Sequence, residues 1–571
     1  MTESNLPAVQ HQAGTLNQLI DKSSERFGDH AAIGMALEKP LTYAEFHDRI
    51  FLLAAHLRDC GVGQGDRVAL LAENSHNWCA AYMAIVRLGA VAVPILPDLP
   101  EADVHHILTE MECDCIFLTQ RQIDKIYDIK KKLTTVVTLD DYVEDAGLLK
   151  VQTFSEYLAA AATRFSQDLA RGQLQFPEVG SDDPASILYT SGTSGFSKAV
   201  MLSHANLCAN AYATASVIVL TPGSVFLSVL PVAHTYEFTV GFLMPLIKGA
   251  RIAYAGKAPT PAVLQKLCAV ERPHVMLVVP LVMEKIYKKR VLPIIEKNRM
   301  LSMLCRFAIG RRLTHRKIGK KLEQFFGGRL AVMGIGGAAL NPEVESFLRE
   351  AGFPFLIGYG MTESAPLISG GPKGDNTIRP GSAGRPVPGV QVRINDPDAE
   401  TGIGEIQVKG PNVMQGYWND PEATIATFTD DGWLKTGDLG FLDDLENLHI
   451  RGRSKSVIVL ANGENVYPEV IEHKLNRYPL VTESLVVENR GMLEAWIYPD
   501  YELVDEETAR QSRQQRHVYI TSQLELIRTE VNEQLPSTSR LSRILERREP
   551  FIKTATHKIK RYLYTAETMP G

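Results

Sequence analysis

The chain has 571 residues, a mass of 63.2 kDa, and a composition 45% hydrophobic and 22% charged. That balance excludes wholesale disorder, and at roughly 150 residues per domain the length predicts three or four compact units. Lys and Arg number 60 against 66 Asp and Glu, a net charge of −6, which argues against nucleic acid as a partner held by the whole chain.

The first half alternates helix and strand. Thr42 with Glu45 reads as a capping box, and the amphipathic run behind it extends to Cys60, where Gly61 stops it. An apolar strand follows at Val68–Ala72, then a helix at Trp78–Leu88 and a second apolar strand at Ala90–Ile95. Strands apolar on both faces and separated by helices predict a parallel sheet covered on both sides. The rhythm returns at Ser186–Tyr189, Ser224–Leu230, Val275–Pro280 and Leu330–Gly334.

Between Gly381 and Ile450 the texture changes to short strands punctuated by Pro and Gly: Val390–Ile394, Gly404–Val408 and Leu448–Ile450. This predicts a small β-barrel or twisted sheet. After Arg453 come short strands and two helices, Pro468–Arg477 and about Val518–Gln534, which read as a small α+β domain. The expected class is α/β: doubly wound α/β subdomains with a small β-barrel, then the smaller C-terminal domain. The expected division is 1–452, a junction at 453–456, and 457–571.

The seven cysteines (Cys60, Cys79, Cys113, Cys115, Cys208, Cys268, Cys305) are odd in number and include no C-x-x-C pair. A disulfide framework and a zinc ribbon are therefore not expected, and a reducing, cytoplasmic setting is. The opening MTESNLPAVQHQ has no basic region ahead of an apolar core, so no signal peptide is expected. The longest stretch free of Lys, Arg, Asp and Glu, Ala199–Tyr236, contains Asn206, Asn210, Pro222 and Gly223 and does not read as a membrane span.

One segment departs from the even charge. Lys285–Arg329 carries 14 Lys or Arg against two acids, Glu296 and Glu323, with Met300, Leu304 and Phe307 at helical spacing. It reads either as a solvated helix face or as a contact for an anionic membrane surface or a polyphosphate ligand.

The strongest chemical signal is Ile187–Lys198, ILYTSGTSGFSK. An apolar strand runs into a loop of small hydroxyl residues and two glycines, then a lysine. Gly192 and Gly195 let backbone N–H groups close on a phosphate. Thr190, Ser191, Thr193 and Ser194 add hydroxyl donors, and Lys198 adds a cation. The Walker spacing is absent, and such a turn also occurs as a plain turn. A second glycine run, Gly334–Ala339, has the weak G-x-G-x-x-A dinucleotide pattern, but no acid follows about 20 residues on.

The Tyr189–Lys198 loop resembles the phosphate loop of the acyl-adenylate-forming enzymes: acyl-CoA synthetases, luciferases and peptide-synthetase adenylation domains. Six further stretches resemble that family's segments in order: Tyr359–Ser364, Gly381–Pro386, Asp431–Asp438, Gly452–Lys455, Asn462–Pro468 and Thr554–Arg561. The resemblance implies ATP, Mg²⁺ and CoA as partners in chemistry. It implies that Glu363 holds Mg²⁺, Thr362 bonds the α-phosphate, Tyr359 with Gly360 offers a face to adenine, and Asp438 accepts from the ribose hydroxyls. Gly336, Gly337 and Ala338 would line the adenine and acyl pocket, and Arg453 would contact ribose or phosphate. Lys558 would stand between the attacking carboxylate and the α-phosphate. Lys455 would be the hinge on which the C-terminal domain turns, and Gly463 would leave room for a pantetheine arm.

Each residue has a plainer reading: Glu363 as a neighbour of a helix cap, Asp438 as a turn residue, Tyr359 as core, and Lys558 as a solvated charge beside Lys553, Lys560 and Arg561. His234, in Pro231–Glu237, reads on general grounds as a satisfied core histidine; the similarity to long-chain acyl-CoA synthetases implies a wall of the acyl or phosphate site. Ser197, Ala199, Ser194 and His557 depart from the commonest family pattern, but none removes a charge or a metal ligand. The implied reaction joins a fatty acid to CoA at the expense of ATP, releasing AMP and pyrophosphate. The alternatives are a carrier-protein or acyl-AMP ligase and an inactive nucleotide-binding regulator.

Overall fold

A computed structural model describes residues 14–144, 150–190, 198–256, 259–371, 374–460, 465–509, 511–554 and 558–564. Two large sheets dominate. The first has eight strands in the order Gly416–Tyr417, Lys198–Ser203, Pro184–Thr190, Val91–Ile95, Arg67–Leu71, Cys115–Leu118, Thr135–Thr138, Val151–Thr153. The second has nine, with a parallel centre of Phe355–Gly360, Val332–Ile335, Val275–Val278, Val225–Ser228, Arg251–Tyr254 and Ala31–Met35. Val91–Ile95 and Val275–Val278 are buried along their whole length, as expected of strands covered on both faces.

The parallel expectation fails at the first sheet's edge, where Pro184–Thr190 turns back as an antiparallel partner, Lys198–Ser203. Lys198 opens the return strand opposite Thr190. Only seven residues separate the two strands in sequence, enough for a hairpin and too few for a crossover helix.

Local signals place the helices well. The Thr42–Glu45 capping box starts Tyr43–Asp59, and Ser75 caps His76–Arg87. Trp78 stacks on Tyr82 at 5.5 Å, and both meet Phe238, which also packs on Phe242. These rings belong to one buried cluster holding residues of both sheets, such as Leu70, Ala92, Ile33 and Ile252. At about 1.5–3 kcal/mol for each large side chain buried, this cluster welds the sheets into one body.

The small β unit is a four-stranded antiparallel sheet, Gln391–Asn395, Gly404–Lys409, Leu434–Leu442 and Leu448–Arg453. Beyond it, a 3₁₀ turn at Ser454–Ser456 leads to a three-stranded sheet, Val481–Asn489, Met492–Pro499 and Leu541–Glu546. Helices Pro468–Leu475 and Arg513–Glu533 share an apolar cluster with it. Cys113 and Cys115 are buried free thiols, and no disulfide occurs among the described residues. No described helix is long and apolar enough to cross a membrane.

Candidate active site

The C-terminal ends of the central strands converge on one cleft. Strand Phe355–Gly360 delivers Tyr359 and Gly360, and the 3₁₀ turn behind it, Thr362–Ser364, presents Thr362 and Glu363. A Cβ on Gly360 would lie 2.1 Å from the Pro366 carbonyl oxygen, so only glycine permits this close return. Glu363 is buried, and burial raises its carboxyl above the ordinary range against the opposing effects of Tyr417, Arg453 and Lys198.

Tyr417 is the residue that sequence reasoning missed. Its hydroxyl donates to Glu363 Oε1 at 3.1 Å, and Lys198 Nζ stands 4.3 Å from its ring centroid. The short strand Gly416–Tyr417 pairs with Lys198–Ser203, so the ring spans the gap between the lysine and the acid. Its signal, a Gly-Tyr-Trp step about 55 residues after Glu363, has no local periodicity to mark it.

Across the cleft, Tyr359 donates to Asp438 Oδ2 at 2.7 Å, and Arg453 Nε lies 3.0 Å from Asp438 Oδ1. Asp438 and Arg453 face each other on paired strands of the small β unit. Tyr359 is therefore tied to the carboxylate through its hydroxyl as well as offering its ring. Burial and the Asp438 charge hold that hydroxyl protonated far above its usual range.

His234 follows the strand Val225–Ser228. Its Nδ1 accepts from the Tyr236 amide at 3.2 Å, which orients the ring. It lines a small recess with Thr362, Thr235, Tyr189 and the apolar Leu96, Leu99, Ile107 and Leu188. Burial, then the Lys558 charge, pulls the imidazole down to about 4, so it is neutral at physiological pH. On the far side, the Tyr236 ring presses on Gly336, where a Cβ would lie 3.1 Å from the hydroxyl. The glycine run at Gly334–Ala339 thus admits a tyrosine of the same chain, which explains the small residues without a dinucleotide. Gly337 and Ala338 are exposed at the turn that follows.

Lys558 reaches this cleft from the other end of the sequence. The residue as a whole is exposed, yet crowding by protein, followed by the Arg453 charge, lowers its pKa while Asp438 and Glu363 raise it. Its neighbours in the tail are sorted differently: Lys553 Nζ pairs with Glu483 at 2.5 Å, and Arg561 pairs with Glu472. Lys455 is exposed in the 3₁₀ turn between the small β unit and the C-terminal sheet. Ser191, Gly192, Thr193, Ser194, Gly195, Ser197, Gly463 and His557 lie outside the described residues.

The donor set fits a magnesium ion. Glu363 brings one buried carboxylate to the site, and Mg²⁺ is held by one or two carboxylates with substrate phosphates and water. No group of three or more His, Cys, Asp or Glu gathers for a metal among the described residues, so a self-sufficient protein cage does not compete with that reading.

Comparison with known proteins agrees with the geometry. The AMP-binding enzyme family matches residues 20–418, and the AMP-binding enzyme C-terminal domain matches residues 455–567. A long-chain-fatty-acid–CoA ligase, FadD15, of Mycobacterium bovis is 31% identical over 478 residues, covering 78% of this chain and 75% of that protein. A 4-coumarate–CoA ligase of Oryza sativa is 28% identical over 483 residues, covering 80% and 77%. Among solved structures, ATP-bound MatB from Rhodopseudomonas palustris superposes with a TM-score of 0.73 at 27% identity, covering 96% of this chain and 98% of that one. The chain belongs to the AMP-binding family of acyl-adenylate-forming enzymes, in the company of fatty acyl-CoA synthetases.

Proposed function

We propose that this chain is an AMP-forming ligase that activates a long-chain fatty acid with ATP and passes the acyl group to CoA. The observation that carries the reading is that Lys558 comes near enough to Glu363, Asp438, Arg453 and His234 for the charges to act on one another, although it lies 105 or more residues from each of them in sequence. In the first step the acid's carboxylate oxygen attacks the α-phosphorus, the bond to the β-phosphate oxygen breaks, and pyrophosphate leaves. Two anions must approach, and the Lys558 ammonium stabilises the charge that builds between them. Thr362 donates to an α-phosphate oxygen. Ser191, Thr193 and Ser194 with the amides of Gly192 and Gly195 hold the outer phosphates, helped by Lys198. Tyr359 and Gly360 cover adenine, with Gly336, Gly337 and Ala338 opposite, and Asp438 and Arg453 take the ribose. Mg²⁺ held by Glu363 and the phosphates would neutralise the leaving group.

In the second step the CoA thiol, losing its proton, attacks the acyl carbonyl of the adenylate, and AMP leaves. For this the C-terminal domain (457–571) turns on Lys455 within the 453–456 junction, withdrawing Lys558 and bringing Gly463 to the pantetheine path. His234 is neutral and walls the acyl site rather than adding a second cation. The apolar side chains beside it, Leu96, Leu99, Ile107 and Leu188, favour an alkyl chain, and the ligase of Mycobacterium bovis acts on long-chain fatty acids by name.

The basic segment suits a cytoplasmic enzyme held at the inner membrane surface. Helix Ala308–Phe325 buries Thr314, His315, Ile318, Gly319 and Leu322, leaving Ile309 and Leu313 exposed ahead of Arg316, Lys317 and Lys320. With Met300, Met303 and Phe307, each about two-thirds exposed, this is an apolar edge ringed by cations, the chemistry of an anionic bilayer surface. The deciding experiment measures pyrophosphate release with acids from octanoate to stearate and with an aromatic acid, offering CoA or acyl carrier protein as acceptor. The reading requires a preference for the longer alkyl acids and acyl-CoA as product. Preference for the aromatic acid, or turnover with the carrier protein alone, overturns it.

A further inference from the structure

We infer that Lys288 is a positioning residue that holds the C-terminal domain in the orientation that places Lys558 in the cleft. The inference rests on the two-step reading above and adds a residue that none of the seven motifs contains.

Lys288 lies in a π-helical turn, Tyr287–Val291, set between helices Pro280–Ile286 and Leu292–Glu296. That turn belongs to the body of the nine-stranded sheet: Tyr287 and Val291 pack in its core with Met333 and Phe347. Yet the Lys288 ammonium donates across to the C-terminal domain, to the backbone carbonyls of Asn476 at 2.5 Å, Tyr478 at 3.3 Å and Val481 at 3.4 Å. An ammonium has three protons, and here it meets three acceptors. Asn476 caps the end of helix Pro468–Leu475, where the final carbonyls lack intrahelical partners and the helix dipole favours a cation. The other basic residues of the segment offer less: Lys289 approaches Glu502 at 3.4 Å, but both side chains are well exposed.

The same helix connects this contact to the cleft. Glu472, one turn before Asn476, pairs with Arg561, and Glu469 lies 3.8 Å from that guanidinium. Arg561 follows Lys558 by three residues, in a turn tied by the bridge between Lys553 and Ile559. A cation from the large body therefore grips one end of a helix whose acids grip the Lys558 turn. Rotation of the domain takes the three carbonyls off Lys288 and returns a half-buried ammonium to water or to weaker partners. Because the bonds to this charged donor exist only in the adenylate-forming orientation, they weight the domain equilibrium toward it, by a factor of about ten or more.

The test separates the half-reactions. Lys288→Met keeps the stem packed and removes the ammonium; Lys288→Gln returns neutral hydrogen bonds and keeps the measurement available if the Met variant fails to fold. Acid-dependent ATP–pyrophosphate exchange reports the first step, and thioester formation from a supplied acyl-adenylate reports the second. Trypsin cleavage at Lys455 reports the freedom of the domain without any turnover. The expected result for Lys288→Met is exchange lower by about tenfold, thioester formation unchanged or faster, and faster cleavage at the hinge, with Lys288→Gln between it and the parent. Equal losses in both half-reactions, or exchange within twofold of the parent, overturn the inference. A parent enzyme that exchanges no pyrophosphate with any acid removes the two-step reading instead, and hinge cleavage that is the same in all three proteins then removes the latch as well.

Discussion

Two stretches of this chain are basic, and they use their charge in opposite ways. In the tail, Lys553 and Arg561 are neutralised by Glu483 and Glu472, and Lys558 between them lies within the electrostatic reach of Arg453, Asp438 and Glu363. In the longer segment from Lys285 to Arg329, Lys288 turns inward to backbone carbonyls, whereas Arg312, Arg316, Lys317, Lys320 and Lys321 stay on the surface beside exposed apolar side chains. Charge count alone does not distinguish a catalytic cation from a solvated one. The partners of the neighbouring charges help to do so, since flanking cations locked into ion pairs narrow where Lys558, the remaining one, can point.

The largest effect should come from removing that remaining cation. Lys558→Ala is expected to lower adenylate formation from free acid by about 10²–10³-fold, the range for a group that stabilises charge only in the transition state. Thioester formation from supplied acyl-adenylate should be largely spared. Lys560→Ala, two residues further on, should stay within about twofold; equal losses for both lysines would erase the distinction within the tail. Next in size is Glu363→Ala, which leaves the Tyr417 hydroxyl without its acceptor while Lys198 stays over the Tyr417 ring. The magnesium needed for half-maximal ATP use should rise by roughly tenfold, and an unchanged titration would reject the metal assignment.

The long segment is tested by its lipid preference. Arg312→Glu with Arg316→Glu should reduce co-sedimentation with phosphatidylserine vesicles by about tenfold or more, at about 1 kcal/mol for each surface cation lost, while leaving binding to neutral vesicles unchanged. High salt should abolish the parent's binding as well. Binding that ignores both charge and salt would remove the membrane role and leave Lys288 as the segment's one cation with an assigned role.

Much of this was legible before any coordinates. Capping pairs such as Thr42 with Glu45 and apolar strands such as Val91–Ile95 are set within a few residues, so local pattern finds them. Among the described motif residues, Tyr359, Asp438 and Arg453 are brought together by hydrogen bonds and ion pairs. Tyr417 and Lys288 were invisible for one physical reason: each acts through a partner distant in sequence, Glu363 for one and the carbonyls after Leu475 for the other. The return strand at Lys198–Ser203 was missed because an apolar strand looks the same in sequence whichever way its neighbour runs.

The smallest expected effect concerns an acid that neither basic stretch reaches. Glu237 opens the π-helical turn Glu237–Leu243 and is 1% exposed. Burial raises its carboxyl to about 8, and the Ser228 hydroxyl opposes the shift only in part. The folded state therefore binds a proton that the unfolded chain, with an ordinary value of 4.5, has released. The folded protein gains this contribution in full below pH 4.5 and loses it as pH rises through 8. Glu237→Gln keeps the shape and removes the titration, so its thermal midpoint should exceed the parent's by roughly 2–5 °C at pH 8.5 and match it at pH 4.5. Glu363 is buried to a similar degree but has Arg453 and Lys198 as neighbours. Glu363→Gln should therefore gain less at pH 8.5, and the gap between the two variants measures how far the cleft cations stabilise a carboxylate that burial alone would keep protonated.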